Sequence, residues 1–435
     1  METSAKSQES LHRVIGLFGA VGLGLGSILG TGVFVSLAMV TDVAGAWAPV
    51  AVALAGILAA CNGLSSAQLA AAHPVSGGTY EYGHKYLHPV AGCVAGWMFL
   101  MAKGASAATA AQGLAAYLIH GFGMKGALSS PRSIALVVVV GMTVLAAGGL
   151  RRSSAVNVII VAMTLGALGI FVVAGIHALN FQDVSSYLTF QVLKDNPVGP
   201  SSIMHATALA FVAYAGYGRI ATLGEEVSEP KKTIPRAIVV TLFVSMAIYI
   251  SVVTVSVASV GPANFADAGQ SGHAPLEQVA RSLGQGGVAL IVAAGAIAAM
   301  AGVFLNLVLG LSRVLLAMAR RGEMPRSLSR ITPSGESPKR AVLTVGFFIA
   351  ALVSLGDIKM TWSLSAFCVL IYYGITNLAA LRMPVEARLY PRWVAWVGFS
   401  GCFFLSFFID VQTVVLGSVA VLFSIVFRSL KIRKY

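Results

Sequence analysis

The stretches GSILGTGVF (Gly26–Phe34) and FVAYAGYG (Phe211–Gly218) decide the fold, because each places a glycine-rich turn inside a long apolar run where an ordinary spanning helix would continue. Backbone that leaves the helix in hydrocarbon strands its N–H and C=O groups without water, at a cost on the order of several kcal/mol each. Such breaks persist only where protein or a cavity satisfies those groups. Two of them imply a solute pocket at membrane depth and, with it, a transporter.

Working outward, hydrophobic residues make up 57% of the 435-residue chain and DEKR only 10%. Apolar runs of about 18 or more residues recur along it, the mark of an all-α polytopic membrane protein. The pattern predicts about twelve transmembrane helices, near 14–37, 43–71, 90–119, 131–150, 154–178, 202–223, 237–260, 286–318, 341–356, 361–381, 392–409 and 411–427. They form a single transmembrane domain over 14–428, between an N-terminal tail (1–13) and a basic C-terminal tail (429–435). METSAKSQESLHR shows no small-residue cleavage site and reads as a retained tail.

The net charge of +13 is informative through its placement. The N-terminal tail, the even-numbered loops and the C-terminal tail hold 21 of the 29 Lys and Arg, against five in the alternate loops. The positive-inside rule therefore predicts both termini in the cytoplasm, and the expected location is the cytoplasmic membrane. The closing RSLKIRKY reads as a membrane-surface anchor, and no nucleic-acid partner is expected.

All sixteen acidic residues fall in tails, loops or span ends. A carboxylate relay through the membrane, and a pocket built around a buried acid for a dicationic solute, are both disfavoured. The histidines are scattered and the four cysteines sit singly in apolar runs, so neither a metal site nor a cofactor is predicted. An intramembrane enzyme lacks candidates. GLGLGSILG lacks the spacing and the preceding strand of a dinucleotide-binding turn. Gly16, Gly22 and Gly26 are explained by close helix packing. Gly30 and Gly32 around Thr31 are not, since adjacent glycines weaken a helix without adding a packing face.

The chain resembles the amino acid–polyamine–organocation transporters over most of its length. Four motifs in order carry the resemblance: GSILGTGVF; PVSGGTYEYGHKYLHP (Pro74–Pro89); FVAYAGYG followed by EEVSEPKKTIPRAI; and LSRVLLAMARRGEMP. It implies a fold of two inverted five-helix repeats, about 14–178 and 202–381, plus two extra helices over about 392–427. The interruptions then fall in the first helix of each repeat.

Where span 1 restarts, N–H groups near Thr31, Gly32 and Val33 are expected to form a positive helix end suited to a carboxylate. Where the first half of span 6 stops, carbonyls near Val212, Ala213 and Ala215 lose their helical partners and can accept from an ammonium. Carried over on the motifs, the family's substrate contacts fall on Ile28, Gly30, Thr31 and Gly32, and on Val212, Ala213, Tyr214 and Ala215. Tyr214 and Tyr217 are equally suited to packing.

The coupling ion, proton or Na⁺, stays open. Proton-coupled relatives carry a lysine in span 5, and the resemblance places Thr164 there. A threonine hydroxyl can help hold Na⁺ with carbonyls near Gly26 and Leu29 and hydroxyls from span 8, or bond its own i−4 carbonyl. Lys103, midway along span 3, is the rival proton carrier, with snorkelling or bonding to backbone carbonyls as the plain alternative. Arg219 stands where relatives often have aspartate. It can attract an acidic side chain, or pair with Glu225 or Glu226 in a cytoplasmic gate, the pairing being favoured. Arg313 has a gate reading, facing Glu81 or Glu225, and an interfacial one. Asn62 and Asn306 read as interhelical hydrogen-bond partners.

The sequence thus predicts a secondary active transporter working by alternating access on a small-molecule amino acid, a neutral L-amino acid first. Acidic or cationic amino acids or amines, and exchange rather than uptake, are the alternatives. A channel or receptor-like membrane protein is the alternative from another class. Nothing in the sequence selects monomer or dimer.

Overall fold

A computed structural model describes residues 15–75, 77–124, 130–148, 154–186, 197–221, 227–270, 274–330 and 338–432. Residues 1–13, Glu225, Glu226 and the last three residues of the basic tail lie outside the described residues. Among the described residues no strand forms; Ile15 and Val227 make an isolated parallel bridge.

The first span is split. Helix α1 (Leu17–Ile28) ends at Leu29, and the chain restarts at Thr31 through a π-helical turn (Gly32–Ser36) into α2 (Leu37–Ala44). Then come α3 (Ala48–Ala72), a short α4 (Thr79–Tyr86), α5 (Pro89–Gly121), α6 (Pro131–Ala147) and α7 (Ser154–Ser186). The second interruption follows α8 (Pro200–Tyr214): a 3₁₀ turn (Ala215–Tyr217) leads into the single turn α9 (Gly218–Ala221). After it come α10 (Pro230–Val260), α11 (Pro262–Asp267), α12 (Pro275–Ser282), α13 (Gly286–Arg320), α14 (Lys339–Leu355), α15 (Ile358–Leu381), α16 (Arg392–Ser406) and α17 (Val411–Ile432). Proline opens α5, α6, α8 and α10, where its missing N–H costs nothing. Asp357 caps α15 by accepting the Met360 N–H at 2.7 Å.

Among the described residues seven stretches are long and apolar enough to cross a membrane, the first of them, Leu17–Ala72, containing α1 to α3. Helices α8 and α16 have only 15 residues each. At 1.5 Å per residue that is about 23 Å, short of a hydrocarbon core of about 30 Å, so such a helix crosses only with its flanking turns. Against the twelve spans expected from the sequence, the first stretch holds two of them, and α6 and α14, with 17 residues each, fall short of full length as α8 and α16 do. Large apolar side chains such as Val137, Phe347, Phe407, Val411 and Leu422 face outward. An apolar exterior of this kind belongs in lipid.

At the centre, α1 and the π turn meet α8 and the 3₁₀ turn, with α3, α10, α13 and α15 against them and α5 packed on α13 and α15. The polar pairs that tie the shell are interhelical: the Asn377 amide donates to Asn62 Oδ1, which also receives the Cys402 thiol at 3.4 Å. All four cysteines are buried and free.

One acidic junction binds three elements at the end of α13. Glu323 accepts from the Tyr80 hydroxyl (2.8 Å) and sits 3.2 Å from His84 Nε2, both on α4, and it pairs with Arg428 of α17. Burial alone would push its carboxyl up. Hydrogen bonds from His84 and Tyr80, with the charges of His84 and Arg428, outweigh burial and hold it below its ordinary value. A carboxylate depressed in the folded state stabilises above its unfolded pKa, and that stability is lost as pH falls through the folded one. Glu323→Gln should therefore lower the thermal midpoint of the detergent-solubilised protein at neutral pH, by about 2–3 kcal/mol of stability. The gap to the native protein should close only below the ordinary glutamate range, and a constant gap across pH would refute the assignment.

Candidate substrate-binding site

The two breaks face each other. After α1, Leu29 turns extended (φ −77°, ψ 96°) while its N–H still reaches Leu25 O at 2.8 Å. The N–H groups of Val33 and Phe34 both go to Gly30 O at 3.1 Å. Among the described residues the amides of Thr31 and Gly32 have no backbone acceptor, and the buried Thr31 hydroxyl has no partner. The donor set expected at Thr31, Gly32 and Val33 is thus reduced by one, because Val33 closes a tight i→i−3 turn on Gly30. Neither Gly30 nor Gly32 takes a positive φ. Each is glycine for want of space: a Cβ on Gly30 would lie 2.6 Å from Val303, and one on Gly32 would lie 2.8 Å from Ala213 Cβ.

Across from them, the expected free carbonyls are partnered. Val212 O accepts from the Ala215 N–H, because the helix tightens into a 3₁₀ turn rather than opening. Ala213 O accepts from the Tyr249 hydroxyl at 3.2 Å. Ala215 O receives both Lys103 Nζ at 3.2 Å and the Tyr373 hydroxyl at 3.1 Å. Tyr249 also donates to Ile28 O at 2.8 Å, so one hydroxyl bridges the two helix ends. Gly216 lies against span 1, where a Cβ would meet Ser27 O at 2.4 Å.

Two cavities adjoin these ends. A small one of about 40 Å³ is lined by Ile28, Thr31, Gly32, Val212 and Ala213, with Ser106 and Trp362 opposite. A larger one of about 340 Å³ extends past Arg219, Asn306, Arg313 and Arg320 to Gly77 and Tyr80. Ser27, Lys103, Gly216, Val303 and Leu307 border both. Lys103 thus reaches the site, and Asn306 faces the larger cavity rather than a neighbouring helix.

Other expected residues are placed differently. The Thr164 hydroxyl donates to Ile160 O of its own helix at 2.7 Å, and the one hydroxyl on α13, Ser312, is likewise spent on Leu309 O. No α13 hydroxyl stands opposite Gly30; Ala299 and Val303 do. Gly26 faces Asn157, whose amide donates to Gly22 O at 3.0 Å while its Oδ1 is buried without a partner. Tyr214 and Tyr217 are fully buried; the Tyr214 hydroxyl donates to Val52 O at 3.2 Å, and the Tyr217 ring packs tilted against Tyr373, centroids 5.2 Å apart. Glu81 pairs with Arg321, not Arg313. Sequence reasoning missed Tyr249, Tyr373 and Asn157. Only Asn157, a lone amide in an apolar run, carried a signal.

A bundle of apolar helices with two broken members closing on a cavity defines a solute-carrying membrane protein. The amino acid permease family model matches residues 19–433. An uncharacterized transporter of Mycobacterium tuberculosis is 38% identical over 410 residues, covering 94% of this chain and 89% of the relative. The branched-chain amino acid permease BcaP of Bacillus subtilis is 28% identical over 368 residues, covering 81% and 77%. Cationic amino acid transporter 7 of Arabidopsis thaliana is 25% identical over 418 residues, covering 89% and 68%. The chain belongs to the amino acid permease family, and it is a membrane transporter rather than an enzyme.

Proposed function

We propose that the protein carries L-amino acids across the cytoplasmic membrane by alternating access, through twelve crossings arranged as two inverted repeats plus α16 and α17, with both termini cytoplasmic. One observation supports the site most directly: the unpaired amides of Thr31 and Gly32 and the unpartnered Thr31 hydroxyl border a cavity whose far wall carries Val212 and Ala213. A carboxylate suits the donors. An ammonium suits the carbonyls opposite, where it competes with Tyr249 and Lys103. Among the described residues no Asp or Glu lines either cavity, which disfavours a cationic side chain. The neutral solute expected from the sequence belongs to the set that remains. Lys103 is favoured over Thr164 as the coupling group, since it borders the site while the Thr164 hydroxyl is taken by its own helix.

The test is uptake of labelled amino acids into proteoliposomes, with counterflow to separate a carrier from a channel. Gly32→Leu should abolish saturable uptake, because even its Cβ would press on Ala213 Cα and the Tyr249 hydroxyl at 3.0 Å. Unchanged affinity in a folded variant would sink the site.

A further inference from the structure

The two cavities carry a charge that the amino-acid grip does not use. The larger one is walled by Lys103 from α5, Arg219 from α9, and Arg313 and Arg320 from α13. Its other titratable neighbours are Tyr80, Tyr372 and Tyr373; among the described residues no Asp, Glu or His lines either cavity. Among the described residues the nearby acids are committed elsewhere: Glu81 to Arg321, and Glu323 to Arg428, His84 and Tyr80. Arg219 has further interactions, and Arg320 stands at the helix end where basic residues are ordinary, so neither carries the argument. Lys103 and Arg313 do. Lys103 lies 14 residues into a 33-residue helix, about 21 Å from its start. Its bond is to the neutral Ala215 carbonyl, and among the described residues it has no counterion. Arg313 stands two turns inside the end of α13 and has no ion pair among the described residues.

Lys103 is half-buried and Arg313 is exposed, both line the larger cavity, and cations gathered there with no carboxylate between them raise a positive potential that an anion relieves. We infer that the solute carries a second carboxylate, making the preferred substrate class the dicarboxylic L-amino acids. This rests on the reading of the two breaks as the grip on the α-amino and α-carboxylate groups. With those groups in the small cavity, the side chain extends past Lys103, at the border, into the larger cavity toward Arg313. A neutral isostere fits the same space but leaves both cations uncompensated. A cationic side chain adds to them.

The experiment is binding to the full chain in lipid nanodiscs with L-glutamate, L-glutamine, L-leucine and L-lysine as probes. Glutamate should bind about tenfold or more tighter than glutamine, the difference a charge-assisted contact makes, and lysine should be weakest. Lys103→Met and Arg313→Gln should each shrink the glutamate-to-glutamine ratio, and Lys103→Arg should keep it. Tighter binding of glutamine or leucine than glutamate by the native protein overturns the inference and leaves the amino-acid grip standing. So does a glutamate preference that survives in both neutralised variants. Binding of none of the four overturns the grip and the inference together.

Discussion

Tyr249→Phe should cut transport at least tenfold while leaving a folded protein in the membrane. The Tyr249 hydroxyl is the shared donor to Ile28 O at the end of α1 and Ala213 O near the end of α8. Both carbonyls lie where helices stop, and the Tyr249 side chain that bonds them is 0% exposed. An unsatisfied buried acceptor costs about 1–3 kcal/mol, and here two share one donor. The phenyl ring keeps the packing against Tyr214, whose ring centroid is 5.0 Å away, so the loss falls on the geometry of the breaks rather than on the core. Measuring initial uptake rates together with thermal stability separates the two. A variant that transports at the native rate would show that the hydroxyl does not hold the breaks in register.

Gly216→Ala should be more severe. The added methyl would stand 2.4 Å from Ser27 O and 2.6 Å from both Ser27 C and Ile28 Cγ1. Two of those atoms are backbone, so relief requires the two broken helices to separate. Separation opens the contact that sets the small cavity's floor, and transport should fall below detection, with destabilisation of about 1–3 kcal/mol for an overpacked core position. Gly310→Ala, on the larger cavity that Gly216 also borders, is the control. Its Cβ would meet nothing within 4 Å, and its uptake should match the native protein.

How far this was legible in the sequence follows from what each residue must do. The breaks were legible because glycine clusters in hydrocarbon have few other reasons to exist, and Gly30 and Gly32 do sit where span 1 leaves the helix. Tyr249 was not, because IYISVV (Ile248–Val253) reads as any apolar helix; its role depends on which carbonyls lie across a gap. For the same reason the carbonyls of Ala213 and Ala215 were expected to be open, when side chains from α5, α10 and α15 fill them. Charge pairing was similarly out of reach: Glu81 meets Arg321 and leaves Arg313 to the cavity, a choice between residues two helical turns apart. Thr164 illustrates a local rule prevailing, since its own helix supplied the acceptor.

The Glu323 junction bears on how the transporter would change state. A helix beside the span 2–3 connection, the end of α13 and the last helix all hold the same buried carboxylate. None can withdraw singly without leaving the others with an under-compensated charge, so their release is cooperative. Motion at that end should therefore follow a threshold, with two discrete arrangements rather than a continuum of partly open ones.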